Sequence, residues 1–72
     1  MREIHIQVVG LERPYIVRGD DLEAFNNSYD HWATSQHVTW MAFAYRGGFL
    51  ELNMMNVVSI ETKNLASATN TN

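Results

Sequence analysis

His5, His31 and His37 are the residues of this 72-residue chain best suited to ligating a metal or acting as a base near neutral pH. Their spacing favours neither role. No HExxH or His-x-His pair occurs, and with no cysteine a thiolate zinc site is excluded. Ser28, Ser35 and Ser59 supply hydroxyls, but none lies in the sharp elbow that presents a nucleophile beside a histidine base and an orienting acid. Arg46-Gly47-Gly48 is glycine-rich, yet strands flank it on both sides, whereas a phosphate cradle needs a helix N-terminus after it. Paired carboxylates would need a cleft deeper than so small a domain readily offers. No catalytic, metal or cofactor-binding residue is therefore assigned, and the expected protein is not an enzyme.

The charges narrow the partners. Five lysines and arginines stand against eight acids, a net charge of −3 with a pI near 5.4, so the basic footprint of a nucleic-acid binder is missing. Asp20, Asp21, Glu23 and Asp30 all fall between Arg18 and Arg46, where only histidines could offset them. The middle of the chain is acidic. Glu23 and Asp30, on one flank of a predicted helix, are candidate partner contacts. Trp40, Phe43, Tyr45 and Arg46 form a second candidate set, at the end of the most apolar stretch of the chain. The alternative use of that set is nucleic-acid binding, with bases stacked on the rings and Arg2, Arg13, Arg18 or Arg46 repeated around the rim of an assembly. The two-sided apolar pattern of residues 38–45 disfavours this, since it reads as core.

The elements that must position these residues follow from periodicity. Ile4, Ile6 and Val8 alternate with Glu3, His5 and Gln7, which predicts a half-buried strand over 2–9. Turn chemistry at Gly10 to Pro14 leads into a short strand over 15–18, antiparallel to the first because the connection is brief. Gly19 ends it. Asp20 with Glu23 three residues later matches capping-box logic and predicts a helix from Asp20 to Thr34. Leu22, Phe25, Tyr29, Trp32 and Ala33 share one sector of that helix, so it should lay an aromatic stripe on a sheet. Residues 37–45 read as the strongest strand, apolar on both faces and therefore expected to be central and covered twice. Arg46-Gly47-Gly48 predicts a tight hairpin, 49–54 the returning strand, and 57–62 a last strand with Val58 and Ile60 on one side.

The expected class is α+β, in the order β-β-α-β-β-β: a small antiparallel sheet or an SH3/Sm-like half-barrel with one amphipathic helix packed on it. One domain is expected over residues 1–62, with a loose polar tail over 63–72 in which Leu65 alone could dock. No stretch approaches the length of a membrane span and the first residues do not form a signal peptide, so a cytoplasmic protein with no membrane partner is expected. Two Trp, three Phe, three Tyr and four Met are more large side chains than one helix on one small sheet easily covers. A second copy is the economical cover, and a homo-oligomer is expected.

The C-terminal half, Gly48-Phe49-Leu50-Glu51-Leu52-Asn53 followed by Asn56-Val57-Val58-Ser59-Ile60-Glu61, resembles the ending of many small uncharacterised proteins of Gram-positive bacteria and their phages. The resemblance covers about a third of the chain. It implies an accessory protein of a phage or mobile element, a class that often binds and inhibits a host protein, and it carries over no functional residue. The same segment is similar to the last two strands of Sm-like RNA-binding barrels, which place their helix before the first strand, whereas residues 20–34 here follow the second.

Overall fold

The computed structural model describes residues 2–36 and 38–64. His37, the end of the tail and the expected docking of Leu65 lie outside the described residues. The chain is α+β, with β1 (Arg2–Val8), β2 (Tyr15–Arg18), α1 (Asp21–Thr34), β3 (Trp40–Tyr45), β4 (Gly48–Asn53), a 3-10 turn at Met54–Asn56, and β5 (Val57–Asn64). Two open antiparallel sheets result, one ordered β2-β1-β5 and the other the β3-β4 hairpin.

Alternation decides which side of the first sheet is buried. Ile4 pairs with Val17, and Ile6 lies between Tyr15 and Ile60, so these side chains share the inner face. The second sheet contributes Met41, Phe43 and Leu52, and α1 adds Phe25; together with Ile4, Ile6 and Val17 they form one core. Phe25 meets Phe43 edge to face, with ring centroids 5.2 Å apart. Leu22, Tyr29 and Trp32 pack partly against this core, as their spacing requires, whereas Ala33 at the edge of the stripe is exposed.

The strand expected to be central is not. β3 pairs with β4 alone, and only its Met41 and Phe43 face is buried. One helix and three strands supply enough surface to cover one side of the hairpin, which leaves the opposite side, Trp40, Ala42 and Ala44, exposed. The helix start also differs from expectation. Asp20 sits in the helical region, with φ −65° and ψ −23°, and its side chain makes no cap hydrogen bond, so the capping box does not form. The last strand reaches Asn64, two residues beyond the expected boundary at Thr62, because Lys63 and Asn64 still pair with Glu3 and Arg2. A bulge near its start makes Val57 rather than Val58 the partner of Val8, and Val58 is 64% exposed.

Candidate partner-binding surfaces

The outer face of the hairpin follows directly from the pairing register. Trp40 lies opposite Asn53, Ala42 opposite Glu51, and Ala44 opposite Phe49. Phe49 is 82% exposed and Trp40 is 56% exposed, so two large rings stand at opposite ends of a strip whose floor is two alanines. Scattered exposed apolar residues are ordinary, but rings and small residues in register on one sheet face form a surface with relief. Glu51 is the one acid within it.

Beside this face, the Trp32 indole N–H donates to the Val38 carbonyl at 2.9 Å and fixes the chain that enters β3. A groove of about 270 Å³ lies between α1 and β3, bordered by Ser28, His31, Trp32 and Trp40 among others. Among the described residues no hydrogen bond joins the Ser28 hydroxyl to the His31 ring.

The opposite side of the hairpin opens on a second cleft, of about 810 Å³, between the β1–β2 connection and the hairpin turn. Tyr15 and Tyr45, both on its lining, meet edge to face at 6.0 Å, and the Tyr45 hydroxyl donates to the Ile16 carbonyl at 3.3 Å, tying β3 to β2. Arg46 follows Tyr45 with φ +52°, and Gly47 has φ +82°. These two left-handed residues make the primed two-residue turn that the right-handed twist of a hairpin favours. The Arg46 guanidinium carbon lies 5.3 Å from the Tyr45 ring centre, within cation–π range.

The residues singled out in the sequence are thus separated. Phe43, 2% exposed, is core and offers no surface to a partner, because its strand position points it at Phe25 rather than outward. Trp40 faces out on one side of the hairpin, while Tyr45 and Arg46 border the cleft on the other. Glu23 and Asp30 are exposed on α1 and belong to neither place. Phe49, Ala42 and Ala44 are not among the sequence candidates, although the alternation of Phe49 with Glu51 and Asn53 puts Phe49 on the polar side of its strand.

On the outer face of the first sheet, Glu3 is buried despite its charge, with one carboxylate oxygen 2.7 Å from the Arg18 guanidinium and the other 3.0 Å from His5 Nε2. Among the described residues no group of three or more histidines and acids is placed to hold a metal ion, and no helix is long and apolar enough to cross a membrane. Comparison with protein-family models, curated proteins and solved structures gives no match to this chain.

Proposed function

We propose that this chain is a non-catalytic, self-associating protein-interaction module whose contact between copies is the outer face of the β3–β4 hairpin. The observation that carries the reading is the exposure of Trp40 and Phe49 on one face, separated by Ala42 and Ala44. A two-fold axis through such a strip sets the ring of one copy over the alanines of the other, which is the self-complementarity an isologous contact requires. Each ring so buried contributes about 1.5–3 kcal/mol, a large share of the stability of so small a domain. Association would also give β3 the second cover that its two apolar faces call for. In this arrangement Glu23 and Asp30 stay on the solvent side of α1, available to a different partner.

The likeness of residues 48–61 to proteins of Gram-positive bacteria and their phages supports reading that partner as a host protein and the chain as an accessory factor. The test is native mass by light scattering across a concentration series. A mass above 8.3 kDa that falls to the monomer value in Phe49→Ser, with circular dichroism unchanged, is the expected result. A monomer at millimolar concentration and low salt would overturn the proposal.

A further inference from the structure

The cations of this chain are unevenly spent. Arg18 is held by Glu3 and Lys63 by Glu61, while the guanidiniums of Arg2, Arg13 and Arg46 make no ion pair among the described residues. Two of those three, Arg13 and Arg46, line the cleft between the β1–β2 connection and the hairpin turn. Two guanidiniums without an ion-pair partner thus lie on one cleft, with Glu12 on the same lining and the Asp21 carboxylate beside the Arg46 backbone.

That place is braced from several directions. Gln7 Nε2 donates to the Leu11 carbonyl at 2.8 Å, which holds the connection against β1. The Tyr45 hydroxyl bond to Ile16 ties the walls together, and the Arg46 backbone N–H donates to an Asp21 carboxylate oxygen at 3.0 Å. Arg46 itself occupies a left-handed position where asparagine or glycine would rest more easily, so an arginine is kept there against local preference. Leu11, Pro14 and Tyr15 supply apolar wall, and Glu12 is the one acid on the lining.

We propose that this cleft binds a carboxylate-bearing peptide segment of another protein, the Arg13 and Arg46 guanidiniums gripping the carboxylate and the tyrosine wall receiving the apolar side chain beside it. The guanidinium fork matches a carboxylate bidentately, and stacking on Tyr45 limits the freedom Arg46 loses on binding. A nucleic-acid strand is the poorer fit, because it asks for cations along its length, whereas this cleft has two and borders Glu12 and Asp21. The site lies across the hairpin from the Trp40 and Phe49 face. It rests on the interaction-module reading only in taking a peptide as ligand, and does not depend on self-association.

The test is an NMR titration of the full chain with a capped peptide of alternating glutamate and leucine, its glutamine counterpart, and single-stranded oligothymidylate. Saturable amide shifts at Arg13, Tyr15, Tyr45 and Arg46 with the glutamate peptide alone are expected. Binding should weaken about tenfold or more in Arg13→Gln and in Arg46→Asn, and be unchanged in Arg2→Gln. Phe49→Ser should show the same shifts, which separates this site from the contact between copies. No saturable response, equal binding of the glutamine peptide, unaltered binding in both arginine variants, or a response to oligothymidylate alone would each overturn the proposal.

Discussion

The carboxylate of Asp21, the first residue of α1, accepts the backbone N–H of Arg46 at 3.0 Å and so fastens the helix start to the hairpin turn. The bond explains how an arginine keeps φ at +52° in the first position of a primed turn. A side chain with a Cβ is strained there, and the strain persists only where neighbours over-determine the conformation. Asp21 supplies a fixed acceptor, and the Tyr45 ring supplies a seat for the guanidinium.

Arg46→Asn is accordingly expected to stabilise the fold by about 0.5–1 kcal/mol, since asparagine tolerates the left-handed region and leaves the backbone N–H bonded to Asp21. Asp21→Ala should cost about 1 kcal/mol, a modest loss because the bond is exposed. Urea unfolding of both variants checks the pair. An Arg46→Asn chain less stable than its parent would show that the seat of the guanidinium on Tyr45 outweighs the strain of the turn.

Phe43 and Trp40 belong to the same strand but should behave in opposite ways. Phe43→Ala removes a ring from the middle of the core and is expected to cost about 3–5 kcal/mol, enough to leave a domain this small largely unfolded. Trp40→Ala removes a ring from an open face and should leave the helical and strand signal in circular dichroism intact while lowering the native mass. Loss of folding in both would place Trp40 in the core instead.

Element identity was legible because periodicity is local: the alternation of Ile4, Ile6 and Val8, the helical spacing of Leu22, Phe25, Tyr29 and Trp32, and the glycine turn each declare themselves within a few residues. That β3 pairs with β4 alone was not. A strand apolar on both faces reads the same whether its second cover comes from its own chain or from another molecule, so Trp40 and Phe43 could not be told apart by type. The cleft was hidden for a different reason. Arg13 and Tyr15 are some thirty residues from Tyr45 and Arg46, and only the folding of the hairpin against β2 brings the four together. The capping box failed because Asp20 continued into helical geometry while Asp21 turned its carboxylate to Arg46.

Buried charge on the first sheet gives a prediction about ion pairs of unequal depth. The Glu3 side chain is nearly enclosed, so Arg18→Ala leaves a desolvated carboxylate with His5 Nε2 beside it at 3.0 Å and should cost about 1–2 kcal/mol, tempered by the exposure of Arg18 itself. Lys63 and Glu61 are both open to solvent at 3.2 Å, and Lys63→Ala should change stability by less than about 0.5 kcal/mol. Chemical denaturation distinguishes the two, and equal effects would mean that the Glu3 carboxylate is better hydrated than its burial implies.

The bulge in β5 decides whether Val58 shares the inward face of Ile60, and a pair of substitutions reads it out. Ile60 pairs with Ile6 and packs against the core, so Ile60→Ala should cost about 2 kcal/mol or more. Val58 falls in the bulge and projects into solvent, so Val58→Thr should shift stability by no more than about 0.5 kcal/mol. A strand without the bulge would turn Val58 to the same side as Ile60, because side chains two apart share a face. In that case Val58→Thr would bury a hydroxyl without a partner and destabilise the chain by about 1–3 kcal/mol, a difference that a thermal melt resolves.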